Sequence, residues 1–474
     1  MVPPSASTTT AVPSTNPRMP PPASADDGRT HIIIVGAGII GVCTAYYLTR
    51  HPQFSPKTHK ITIIESTRPA SGASGKAGGL LALWAFPSQL VPLSFKLHEE
   101  LAEQYNGVDE WAYRRLQTVS LEGNLSKTAR LSKKQPIDIG LPEDLDWVRS
   151  DIMDGWSSLS GKDSTAQVHP YKFTMFMLRR AQESGAVNLV LGKVLKLNYS
   201  SKGNAVESVV YAPVGSSAES ISTESKASSD GHSSILKGDK IVITVGPWTS
   251  RLLPTCPVSG LRAHSITITP SRPVSAYALF TELKVAKGKY ISPEIYARKD
   301  EVYICGEGDN YVEIPDTTDD VEVLKERCEE LVKYAGIVSK ELQGGRITRR
   351  QACYLPVVDV PSTSGPLIGP TNSQNLYVAS GHSCWGINNA PGTGKIMAEI
   401  LLEGEAKSAD VSSLDPRRYF ISGPLSGEFC LYQQNTRSLR AGLCYFKFCV
   451  WSVCKSWECF DICLVCAFVL LYIS

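Results

Sequence analysis

The run His31-Ile-Ile-Ile-Val-Gly-Ala-Gly-Ile-Ile-Gly41, followed by Ile61-Thr-Ile-Ile-Glu65, constrains the fold more than any other part of this chain. An apolar strand, a glycine turn, a helix reaching Arg50, a second strand and an acid come in the order of a dinucleotide-binding βαβ unit. Gly36 permits the tight turn leaving the strand, Gly38 lets backbone approach a pyrophosphate, and Gly41 lets helix and strand pack closely. The unpaired N–H groups and positive dipole end at the helix start then favour an anion. Glu65 lies 24 residues after Gly41, where its carboxylate can accept from an adenosine ribose diol and disfavours the 2′-phosphate of NADP. NAD and FAD both satisfy the motif.

A chain of 474 residues with 42% hydrophobic and 20% charged residues has room for two domains with sizeable cores. A net charge of +2 gives no electrostatic case for nucleic acid. Of 13 cysteines, six precede Asp415 without close spacing and read as reduced thiols, while seven fall between Cys430 and Cys466. Residues 1–30 are rich in Pro, Ser and Thr, lack an apolar core segment, and read as a disordered leader rather than a secretory signal.

Leu93, Leu97, Leu101 and Tyr105 recur at helical spacing between Pro87 and a stop at Gly107. His169-Pro170 opens a second helix with Phe173, Phe176, Met177 and Ala181 on its core face, ending at Gly185, and Val187–Val190 follows as a strand. A Ser-rich surface loop over 216–234 separates strand patterns at Val206–Tyr211 and Ile241–Val245, which suggests a hairpin-like insertion. Strand-like runs dominate 263–305, and 319–336 has helical periodicity through Val321, Leu324, Cys328 and Leu331. The expected fold class is α/β, one discontinuous nucleotide domain carrying a second mixed domain. The segment Ile462–Ser474 is apolar over only 13 residues, against about 20 needed to span a bilayer, so no membrane insertion is expected. Cys463 and Cys466 form a CxxC without the turn residues of a zinc knuckle, so no metal site is expected. The folded enzyme is expected to end near Tyr419, with 419–474 a Cys-rich apolar extension in the reading frame.

Four motifs in order, namely Gly36–Glu65, Ser71-Gly-Ala-Ser-Gly-Lys-Ala-Gly-Gly79, Ile241-Val-Ile-Thr-Val-Gly-Pro-Trp248 and Tyr377-Val-Ala-Ser-Gly-His-Ser-Cys-Trp-Gly386, resemble the FAD-dependent oxidoreductase family that includes D-amino acid, glycine and sarcosine oxidases. The resemblance spans roughly 31–418 and looks closest to a fungal branch of uncharacterised members, some associated with endosomal trafficking. It implies a Rossmann-like FAD-binding domain (GR2-type flavoprotein) over 31–86, 165–255 and 346–418, and a mixed α+β substrate domain over 87–164 and 256–345. By resemblance, FAD contacts fall on Gly36, Gly38, Ile39, Ile40, Gly41, Glu65, Ser66, Ser74, Gly75, Gly78, Gly79, Leu80, Val194, Gly246, Cys353, Gly381, His382, Gly386 and Ile387. Cys353 falls where sarcosine-oxidase-like members attach flavin covalently, although a buried structural cysteine is the favoured reading of that thiol. The helix after Gly386, carrying Ile396, Met397, Ile400 and Leu401 inward, can stabilise negative charge on reduced flavin through its N-terminus.

The resemblance further implies hydride transfer from a CH–NH bond of a small amine or amino-acid-like substrate to flavin N5, with oxygen or another electron acceptor regenerating the cofactor. Tyr296, Arg298 and Trp385 are the catalytic-site candidates; the planar fork of Arg298 suits a carboxylate. Leu355 stands where glycine-oxidase-like members carry an Arg that holds the substrate carboxylate, which departs from an amino-acid site. The expected location is cytoplasmic, with endosome association implied by the branch. The alternative is a flavin-stabilised adaptor in endosomal trafficking with little turnover, and an NAD dehydrogenase would lack a yellow chromophore.

Overall fold

The computed structural model describes residues 27–125, 139–214, 233–309, 312–363 and 365–423. Its first sheet runs in the order Ser234–Lys237, Val206–Pro213, Val187–Tyr199, His59–Glu65, Thr30–Val35, Lys240–Ile243, Leu376–Ser380, Leu367–Pro370. The central strands from Val187–Tyr199 to Leu376–Ser380 are parallel. Parallel strands covered on both faces need apolar residues at every position, which is why Ile32–Val35 shows no alternation. Ile32 and Ile34 pack with the helices Ile39–Arg50, Pro170–Gln182 and Gly386–Glu403, whereas Ile33 and Val35 face a second core with Ile241, Ile243 and Val258.

The second sheet has the order Arg346–Val358, Val258–Thr269, Val302–Cys305, Glu294–Ala297, Tyr277–Ala286, Gln117–Asn124, Met153–Ser160. Its residues Ile266, Leu279, Ile295 and Ile304 form a core with Cys328, Leu331 and Ala335 of the helix Lys325–Val338. Strand alternation turns Phe280, Glu294, Tyr296, Tyr303 and Cys305 to the opposite face, because Phe280 pairs with Glu294, Glu294 with Cys305, and Tyr296 with Tyr303. A three-stranded sheet of Leu80–Ala82, Thr165–Gln167 and Arg114–Arg115 completes the arrangement.

The α/β class, the FAD-binding type of first sheet and the mixed second sheet agree with expectation, but several boundaries move. Strand Val206–Pro213 pairs with Ser234–Lys237, while Lys240–Ile243 inserts beside Thr30–Val35, so the expected hairpin closes one strand earlier. The helix Val91–Tyr105, assigned by pattern to the substrate domain, contributes Phe95, Leu101 and Ala102 to the nucleotide-domain core. Conversely, Arg346–Val358 is an edge strand of the second sheet. The 319–336 helix starts later, at Lys325. Phe420 and Ser422 are buried, Ser422 within a hydroxyl cluster of Thr371 and Ser373, so the packed body runs past Tyr419. The leader up to residue 26, most of the Ser-rich loop, and 424–474 with Cys463 and Cys466 lie outside the described residues.

Candidate functional site

Gly36 leaves the first strand at φ +104°, and a Cβ there would sit 2.7 Å from the Thr244 carbonyl oxygen. A Cβ on Gly41 would sit 2.2 Å from the Gly36 carbonyl oxygen, so the helix Ile39–Arg50 lies against its own turn. The Ile39 N–H at the helix start donates to Ser74 Oγ at 2.9 Å. Ser74 thereby brings its own O–H, still available to donate, to the positive end of the helix dipole. Glu65 Oε2 accepts from the Ala37 N–H at 2.9 Å, and Oε1 accepts from Ser66 Oγ and the Thr67 N–H, each at 3.1 Å. A carboxylate has about four acceptor sites, so one lone pair remains for a ribose hydroxyl.

These groups open onto a cleft of about 1300 Å³, continuous with solvent. Of the residues expected to touch the cofactor, Gly36, Gly38, Ile39, Ile40, Glu65, Ser66, Ser74, Val194, Gly246, His382, Gly386 and Ile387 line it. Gly41, Gly75, Gly78, Gly79, Leu80, Cys353 and Gly381 do not; they shape its walls. Cβ atoms on Gly75 and Gly79 would lie 2.1 Å from the carbonyl oxygens of Ala70 and Val168, and one on Gly78 would lie 2.5 Å from the Tyr296 ring. Gly381 has φ +84°. Leu80 packs with Tyr296 and Tyr303. Burial pushes the Cys353 thiol up to about 11.

Helix Gly386–Glu403 begins in the cleft although Pro391 interrupts its ladder. Proline lacks the N–H that would reach the Ile387 carbonyl. His98 Nε2 supplies the missing donor at 2.9 Å. One turn earlier, Ser94 Oγ accepts from the Gly392 N–H at 2.9 Å and donates to the Asn389 carbonyl at 3.0 Å. Helix Val91–Tyr105 thus repairs the break and fixes the helix start at the cleft. His382 is buried, its Nε2 lies 3.0 Å from Thr393 Oγ1, and burial pushes its pKa down to about 3. A neutral ring so placed is not a general base near neutral pH.

Three groups in the site carry no local sequence signal. Thr244 Oγ1 donates to the Val35 carbonyl at 2.8 Å and closes the floor of the turn. Residues 313–320, far away in sequence, strap the cleft: Trp248 Nε1 donates to the Pro315 carbonyl at 2.7 Å, Asp316 pairs with Lys193 and Arg251, and Thr318 Oγ1 meets Thr67 Oγ1 and Ser71 Oγ at 2.7 Å. The third is Glu294, which pairs across the strands with Phe280 and Cys305 and accepts from the Tyr296 hydroxyl.

The structure separates the catalytic-site candidates. Tyr296 donates to Glu294 Oε2 and stacks on Tyr303 with ring centroids 5.9 Å apart. Trp385 sits edge-on to Trp84 at 5.4 Å, Trp84 meets Phe280 at 6.0 Å, and Phe280 meets Tyr296 at 6.0 Å, so Tyr296 and Trp385 belong to one continuous row of rings. Arg298 is corrected from a substrate ligand to an anchor. It is 5% exposed, donating from Nε to the Gly78 carbonyl at 3.1 Å, from Nη2 to the Ala77 carbonyl, and from Nη1 to Glu301 at 2.7 Å.

A glycine turn, a buried acid and a second helix start on one cleft suit a dinucleotide, and the chain belongs to the FAD dependent oxidoreductase (DAO) family, whose profile matches residues 31–400. The Saccharomyces cerevisiae protein TDA3, named as an oxidoreductase, is 46% identical over 85% of this chain and 98% of that protein. The Schizosaccharomyces pombe protein C1F5.03c, also named as an oxidoreductase, is 38% identical over 81% of this chain and 97% of its own length. Glycine oxidase from Bacillus cereus matches in structure with a TM-score of 0.60 at 18% identity, covering 83% of this chain and 99% of that enzyme. The amino acid oxidase NikD matches with a TM-score of 0.58 at 15% identity, covering 84% and 99%. These last two likenesses establish the fold. The residues present fit FAD: Gly36–Ile39 and Ser74 would hold the pyrophosphate, Glu65 the ribose, Val194 the adenine side, and Gly386–Ile387 the ring. Among the described residues no helix is long and apolar enough to cross a membrane.

Proposed function

We propose that this oxidoreductase oxidises the CH–NH bond of a small amine or amino-acid-like substrate. The observation that carries the reading is the adjacency of the cofactor cleft, lined by Cys384, Gly386 and Ile387, to Trp385 and the row of aromatic rings that runs from it towards the half-buried carboxylate of Glu294. When bound, the flavin supplies a two-electron acceptor at N5 for the hydride equivalent, and water then hydrolyses the resulting imine.

The chain's residues do the rest. Helix Gly386–Glu403, which starts at the cleft, would stabilise with its positive end the negative charge of a reduced ring held at Gly386–Ile387. Arg298 fixes the Ala77–Gly78 backbone, and Gly78 lets the Tyr296 ring approach that loop. Phe280, Trp84 and Trp385, packed ring against ring, would exclude water from a reacting carbon held beside them. Oxygen or another acceptor regenerates the cofactor. Non-covalent FAD is the favoured state, since Cys353 is a buried thiol away from the cleft lining and ionises only near pH 11. Acid precipitation that leaves flavin on the protein pellet would overturn that assignment.

Anaerobic titration of the purified yellow protein with primary, secondary and N-methylated amines tests the activity. Bleaching of the flavin absorbance by at least one amine is expected. Tightly bound flavin that none of them bleaches would instead support an adaptor with an inert cofactor.

A further inference from the structure

Glu294 has the chemistry of an unfilled cation site. Its Oε2 accepts from the Tyr296 hydroxyl and from Cys305 Sγ at 3.8 Å, and none of the ion pairs among the described residues involves it. Burial pushes its pKa up, and the hydrogen bonds from Tyr296 and Cys305 only partly offset this. A half-buried carboxylate without a counter-charge is better accommodated once a cation arrives.

The surroundings point the same way. Phe280 lies directly opposite Glu294 on the neighbouring strand, and the rings run on from it through Trp84 to Trp385. Phe280, Trp84 and Trp385 are only half-buried, and the Trp84 indole N–H has no partner. Ring faces around a carboxylate are the arrangement that receives an alkylated ammonium. Cys384, an exposed residue that lines the cofactor cleft, lies near enough to Glu294 for that carboxylate's charge to help push its thiol up.

The cleft itself offers a carboxylate no free cation among the described residues. The cationic side chains lining the cleft, Lys193 and Arg251, both pair with Asp316. Arg298 is committed to Glu301 and two carbonyls, and Leu355 lines the cleft with an apolar side chain. Lys76 donates to the Ala352 carbonyl at 3.0 Å.

We propose that Glu294, with Phe280, Trp84, Tyr296 and Trp385, receives the substrate as an N-alkylated ammonium that bears no carboxylate. This rests on the amine-oxidising reading and narrows it from amines and amino acids to carboxylate-free alkylamines.

Tetramethylammonium and glycine betaine share a quaternary head and differ in the carboxylate, and neither carries an N–H to be oxidised. Binding of each to the FAD-loaded protein is followed by tryptophan fluorescence and by perturbation of the flavin absorbance. Tetramethylammonium is expected to bind at least ~10-fold more tightly than betaine, and Glu294→Gln, which keeps the side-chain shape, to weaken it by about tenfold. Phe280→Leu should weaken it several-fold while flavin content stays the same, and it serves as the test if Glu294→Gln does not fold. Betaine binding as tightly as tetramethylammonium, a preference for betaine abolished by Lys76→Met, or an unchanged affinity in the folded variants would overturn the proposal. Because these probes report binding without turnover, tight ammonium binding beside an inert flavin defeats only the oxidase reading. Bleaching by amino acids together with weak ammonium binding defeats only the alkylammonium site.

Discussion

Replacing Arg298 by Met separates the anchoring role from a substrate-binding one. In the parent, the Arg298–Glu301 pair at 2.7 Å has side-chain exposures of 5% and 15%. Burial opposes charge on Glu301, but the Arg298 charge and hydrogen bond outweigh it and hold that carboxyl below its usual range. His169 lies 3.6 Å from Glu301, and in the parent burial, aided by the Arg298 charge, pushes its pKa down to about 4. Breaking a buried pair on one side costs about 3–5 kcal/mol. The two carbonyls left without donors add about 1–3 kcal/mol each if they stay dry and close to nothing if water reaches them, so about 3–5 kcal/mol is the minimum expected loss. Denaturant unfolding at saturating FAD, followed by tryptophan fluorescence, measures it. Arg298→Met combined with Glu301→Gln should lose less than the sum of the single variants by about 1–3 kcal/mol. FAD affinity should fall as well, because Arg298 holds Ala77 and Gly78. An Arg298→Met protein as stable as the parent, with unchanged FAD affinity and a raised substrate KM, would refute the anchor and restore Arg298 as a substrate ligand.

Gly41→Ala should destabilise the protein by about 1–3 kcal/mol and weaken FAD binding, since its Cβ would fall 2.2 Å from the Gly36 carbonyl oxygen; FAD titration of the deflavinated protein reads the affinity. Asp316→Ala should change stability by less than about 1 kcal/mol, because its ion pairs are partly exposed, yet it should speed FAD dissociation several-fold by loosening the strap, and added salt should have the same effect on the parent. Burial pushes the pKa values of His98 and His382 down to about 4 and 3, and burial with the Arg298 charge pushes His169 to about 4, against 6.5 when unfolded. The unfolded chain therefore binds protons that the folded one refuses: stability is fully present above pH 6.5 and is lost as pH falls from there towards 4. Urea midpoints between pH 7 and pH 4 should drop accordingly, and a flat profile would contradict the neutral, buried imidazoles.

Local order carried most of what the sequence revealed about the fold. The turn from Gly36 to Gly41, the strand to Glu65 and the helix from Pro170 are set by neighbours within a few residues, and each lies close to where pattern reading puts it. Edge assignments were less legible, because an apolar run such as Lys240–Ile243 is equally compatible with a hairpin partner or a central parallel strand until the whole sheet is assembled. The site divides along the same line. Cofactor residues cluster in glycine motifs that announce themselves, whereas the strap at Asp316–Thr318 and the repair of Pro391 by Ser94 and His98 depend on contacts across hundreds of residues. Arg298 was misread because an arginine on a strand near a cofactor looks the same whether its fork faces a ligand or a carbonyl. Only the geometry at Ala77 and Gly78 distinguishes the two.

A crystal structure of the yellow protein with tetramethylammonium bound would test the central claim directly, that the dinucleotide cleft and the Glu294 pocket form one site. The ring of FAD should lie against Gly386–Ile387, and the cation between Glu294 and Phe280 on the ring's open side. A flavin ring placed elsewhere, or a closed wall between it and Glu294, would contradict the account.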